Sequence, residues 1–124
     1  MYIFNDKEML TKIANVLIHQ AKHKGLIYYS GLAQEVGMSN PRNLDRPLGQ
    51  LSDICKVNGL PLISAIVIPL NGDPIPSAGY FKYFFPNLPR NKWEKSFIEE
   101  RNKVYQKANE LVDLPTLIDT FDFA

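Results

Sequence analysis

Asn40-Pro41-Arg42-Asn43-Leu44-Asp45-Arg46-Pro47-Leu48-Gly49-Gln50-Leu51-Ser52-Asp53-Ile54-Cys55 opens on a helix-start signal. Asn40 can cap free amides, and Pro41 brings a preset φ without an amide of its own. Leu44, Leu48, Leu51 and Cys55 then recur at three- and four-residue spacing as one apolar stripe. Pro47 lacks the donor that an interior helical turn requires, so this helix either kinks there or restarts. Asn58-Gly59 ends it.

Working outward, Leu26 to Tyr29 reads as a short strand, and Ser30 caps a brief helix from Gly31 to Val36 that stops at Gly37. Further upstream, Phe4-Asn5-Asp6-Lys7-Glu8-Met9 is a helix start with Asn5 as the cap. Leu10, Ile13, Ala14, Leu17 and Ala21 follow with helical spacing as far as Gly25. Downstream, Leu62 to Ile68 is β-branched and almost continuously apolar, the pattern of a strand covered on both faces. After the turn at Asn71-Gly72-Asp73, the aromatic run Gly79 to Phe85 favours a second strand. Trp93, Phe97, Val104, Ala108 and Leu111 mark a long helix over 91–112, with Glu99 and Glu100 on its solvent side. The acidic and aromatic tail, 113–124, either packs or dangles. The expected fold is a single α+β domain over 1–124, with a short β-sheet and a long C-terminal helix. Its region 26–80 has the element order of a winged helix-turn-helix.

The bulk properties bound the function. The chain's 124 residues suit one core. Hydrophobic residues at 45% and charged residues at 22% exclude a disordered or fibrous chain. A net charge of +1 exerts no overall pull on polyanions, so nucleic-acid binding must come from local charge. Lys22 to Lys95 holds nine basic residues against five acidic ones, whereas Ser96 to Ala124 holds three against six. The lone cysteine, Cys55, excludes an intramolecular disulfide and reads as a buried thiol in a reducing cytoplasm. No apolar run approaches the roughly 20 residues that span a bilayer, and the N-terminal pattern is not that of a signal peptide. No membrane partner is expected.

No catalytic, metal or cofactor site is expected. His19 and His23 share a helical face, but no third ligand follows and Lys22 and Lys24 flank them with repelling charge. Cys55 and Ser64 fall in apolar segments with no histidine beside them in sequence. Asn71 to Pro74 has too few glycines for a phosphate-cradling loop.

Three blocks resemble, in order, the DNA-binding domain of the alkylguanine-DNA alkyltransferase and alkyltransferase-like family. They are Tyr29-Ser30-Gly31-Leu32-Ala33, Pro41 to Gly49, and Leu60-Pro61-Leu62-Ile63-Ser64-Ala65-Ile66-Val67. The resemblance implies that Tyr29 helps turn a target nucleotide out of the duplex and that Arg42 takes its place in the stack. It also marks a departure: of the family's reactive proline-cysteine-histidine-arginine run only Pro61 is kept, with Leu62, Ile63 and Ser64 in the other places. Leucine offers no nucleophile, so alkyl transfer is excluded. Gly59 to Val67 also resembles a broad group of uncharacterised bacterial proteins, which implies no mechanism.

The expectation is a non-catalytic DNA-binding protein, with Arg42, Arg46 and Gln50 on the reading helix, Tyr29 behind them and Lys82 near the wing. The alternative is a small protein-binding inhibitor or adaptor, possible for a viral or mobile-element product, or a self-associating chain. Its interface would be the aromatic surface of Tyr80, Phe81 and Tyr83, since alternation along a strand sends large rings to both faces.

Overall fold

The structure, a computed structural model, describes residues 4–123. It is mostly helical. Helix α1 (Lys7–Lys22) is capped by Asp6, whose carboxylate accepts from the Met9 amide at 3.1 Å, one residue after the expected Asn5. Its apolar stripe of Leu10, Ile13, Ala14, Leu17 and Ala21 is buried as the spacing requires. Strand β1 (Ile27–Tyr28) runs directly into α2 (Tyr29–Val36), which Gly37 ends in the left-handed conformation, φ 77°.

A 3-10 turn (Pro41–Leu44) follows, with the Asn40 side chain accepting from the Arg42 amide at 3.1 Å. It leads without a break into α3 (Asp45–Val57). Pro47 therefore lies in the first turn of a restarted helix, where its missing donor costs nothing, and no kink is needed.

Two segments depart from the strand reading. Between Leu62 and Ile68 only β2 (Val67–Ile68) is extended, paired in parallel with β1 through Ile27–Val67 and Tyr28–Ile68; Ile63–Ile66 is a 3-10 turn. Side chains claim the amides that a neighbouring strand would have taken. The Leu62 amide donates to Glu100 at 2.8 Å, and the Ser64 amide to the Ser52 hydroxyl at 3.1 Å. The two serine hydroxyls lie 2.6 Å apart in the core.

The aromatic run is not a strand at all but helix α4 (Ala78–Phe84). Helical spacing brings Tyr80, Phe81 and Phe84 into one cluster with Trp93, on which Phe81 stacks, so packing overrides the β-propensity of the rings. Among the described residues β1 and β2 form the whole sheet, and no hairpin wing is present.

The expected long C-terminal helix is broken. A 3-10 turn (Arg90–Lys92) precedes α5 (Trp93–Gln106); the chain then restarts as α6 (Ala108–Leu111) and α7 (Leu114–Thr120). The tail packs: Leu114 and Ile118 are buried, and α7 lies against α1 and α3. One core gathers α1, α2, α3, α6 and α7; a second joins Leu62, Ala65 and Ile68 to Tyr80, Phe81, Trp93 and Phe97.

Glu100 is not a solvent residue, as its helix position had suggested. Its side chain is only 12% exposed and ties α5 to the turn at Leu62. Glu100→Ala is expected to cost about 1.5–3 kcal/mol in urea unfolding, because a charge-assisted bond is lost and an amide is orphaned. Glu100→Gln keeps an acceptor and should cost clearly less; equal costs would show that the bond does not hold the turn.

Candidate nucleic-acid interface

The residues that sequence reading singled out divide into those that share one face and those drawn inside. Tyr29, the first residue of α2, donates its hydroxyl to Ser77 at 3.2 Å and so joins α2 to the entry of α4. Arg42 stands exposed on the 3-10 turn, and Arg46 exposed on the first turn of α3. Neither guanidinium has an ion-pair partner among the described residues.

Tyr29 and Arg42 line a groove of about 450 Å³ with Pro41, Asp45, Pro69 and the Ser77-Ala78-Gly79 segment. The groove shares Tyr29, Asp45, Ser77 and Gly79 with a smaller cavity of about 60 Å³, whose remaining wall includes Leu48, Gly49, Ser64 and Tyr80. On its other side Arg42 borders a depression that also takes in Asn43, Asp45 and Arg46.

Gln50 does not belong to this face. It is 1% exposed, and its carbonyl oxygen accepts from the Phe4 amide at 3.3 Å. Past its first turn α3 is covered on every side, Pro47 to Cys55 all being buried, so Gln50 is enclosed although Arg46, one turn earlier, is exposed. Lys82 is exposed on α4, one helical turn beyond Ala78 of the groove.

The aromatic surface also goes inside. Tyr80 and Phe81 are 6% and 0% exposed, so neither is available to a partner. Tyr83 is partly buried and donates to the Asp53 carboxylate at 3.1 Å.

Tyr80, read as an interface ring, instead lines the inner cavity, and Ser77 and Asp45 are the site residues that sequence reading missed. Nothing in the local pattern signals them, because the loop 69–77 brings Ser77 beside Tyr29 from 48 positions away. Asp45 is solvent-exposed at the groove, yet partial burial raises its carboxyl above the ordinary value. The Tyr80 hydroxyl is buried without a hydrogen-bond partner among the described residues, and burial, then Glu100 and Tyr29, push its phenol far above the ordinary range. Tyr80→Phe is therefore expected to raise unfolding stability by about 1 kcal/mol, as an orphaned hydroxyl is deleted. A loss of stability would show instead that the hydroxyl is held by water in the cavity.

The remaining chemistry is sparse. Burial pushes the Cys55 thiol up to about 12, so it stays protonated at neutral pH and is a poor nucleophile. Leu62 and Ile63 are core residues, and Ser64 is paired with Ser52. The His19 and His23 rings lie 4.4 Å apart, and among the described residues no three His, Cys, Asp or Glu side chains gather to hold a metal. Among the same residues no helix is long and apolar enough to cross a membrane.

No protein family matches the chain, and no curated protein or solved structure is found to be similar to it.

Proposed function

We propose that the chain is a non-catalytic DNA-binding protein whose α2, 3-10 turn and α3 act as a helix-turn-helix, with the Tyr29 groove receiving an unstacked nucleotide. The observation that carries this reading is the pair of exposed guanidiniums, Arg42 and Arg46, without an ion pair among the described residues, beside a groove walled by Tyr29. Unpaired arginines on a helix start are suited to phosphate and base-edge contacts. The residue resemblance to the alkyltransferase DNA-binding domain supports the same face. It does not extend to alkyl transfer, because Leu62 has no leaving proton and no nucleophilic atom.

With no hairpin wing among the described residues, the support beside the helix-turn-helix comes from α4 and its Lys82. The alternative of a protein-binding inhibitor or adaptor loses the surface it rested on, since Tyr80 and Phe81 are core.

The test is fluorescence anisotropy with labelled single-stranded DNA, intact duplex, and duplex holding one unpaired nucleotide, at ~50 and ~200 mM salt. The reading expects binding that weakens as salt rises and is tightest for the duplex with the unpaired nucleotide. No binding at the lower salt overturns it.

A further inference from the structure

We propose that Asp45 is the specificity-determining residue of the groove, selecting an unstacked nucleotide whose edge carries an exocyclic amine over one with a carbonyl in that place. The inference rests on the nucleotide reading given above. Asp45 stands where the outer groove and the inner cavity meet and lines both, and it is the one acidic side chain among their described lining residues. Flanked in space by the Arg42 and Arg46 depression, it forms no ion pair with either arginine among the described residues. Its acceptor capacity is therefore unspent.

A carboxylate on a face that meets phosphate is costly, because it repels the backbone that the arginines attract. Such a group is useful where it discriminates. An ionised carboxylate only accepts hydrogen bonds, so it pairs with an amine such as cytosine N4 or adenine N6 and is repelled by the carbonyl of uracil or thymine. Arg42, the groove's other charged side chain, only donates, and it is assigned to the phosphates and the vacated stack, which leaves Asp45 as the charged group that reads the base edge. The Tyr29 hydroxyl is committed to Ser77, Ser64 is paired with Ser52, and the Tyr80 hydroxyl both donates and accepts.

Cytosine and uracil have nearly the same shape, so a duplex with one or the other placed opposite an abasic site isolates the edge chemistry. Binding is measured by anisotropy at ~50 mM salt for wild type, Asp45→Ala and Asp45→Asn, with a duplex abasic in both strands as a third probe. Wild type is expected to hold the cytosine duplex about tenfold more tightly than the uracil duplex, the low end of a base-edge contact. Asp45→Ala should lose this preference while binding the doubly abasic duplex more tightly, as the repulsion is gone. Asp45→Asn, able to turn its amide to either edge, should also lose it. A wild type that binds the cytosine and uracil duplexes equally, and both more tightly than the doubly abasic one, overturns the assignment but leaves the DNA reading standing. So does an alanine variant that keeps the preference, or that loses it together with its hold on the doubly abasic duplex. A wild type that binds none of them overturns both.

Discussion

Phe81→Ala is expected to lower unfolding stability by about 3–5 kcal/mol, a large part of the total for a domain of this size. Phe81 is fully buried at the centre of the second core, where its ring stacks on Trp93 with centroids 4.5 Å apart and planes 5° from parallel. Tyr80 meets it edge-on at 4.9 Å. Removing the ring takes away the hydrophobic transfer term and leaves a void that Leu62, Ala65 and Ile68 are too constrained by their turn and strand to fill. The chain has one tryptophan, and Trp93 is the residue stacked on Phe81, so urea unfolding followed by tryptophan fluorescence reads this core directly. A cost below about 1 kcal/mol would mean that α4 does not close the core as described.

The second large effect is on binding. Arg42→Glu is expected to weaken duplex binding roughly ten- to hundredfold at ~50 mM salt, combining a lost contact with an added repulsion. The dependence of log affinity on log salt should become shallower by about one phosphate contact. Folding should be spared. The cap at this turn is made by the Arg42 backbone amide, which the substitution keeps, while the side chain itself is exposed and without an ion pair among the described residues. Wild-type affinity in this variant, with an unchanged melting curve, would remove the Arg42 face from the interface.

Those two results probe opposite ends of what the sequence makes legible. Where the pattern is local, the sequence is sufficient: α1 follows from the spacing of Leu10, Ile13, Ala14, Leu17 and Ala21, and the turn at Pro41 from its Asn40 cap. The exposure of Arg42 and Arg46 and the burial of Leu62 to Ile68 also follow from residue type and position. The tertiary structure decides what depends on partners distant in the chain. Leu62 to Ile66 gives up the strand its composition favours because Glu100 and Ser52 capture its amides, and 78–84 becomes helical because its rings are needed against Trp93. Gln50 lies inside because the surrounding elements cover α3 on every side from Pro47 to Cys55. The groove itself is built from Tyr29, Asp45 and Ser77, residues with no shared local pattern. Periodicity reports which side of one element is apolar, but only the packing of elements fixes which polar groups meet.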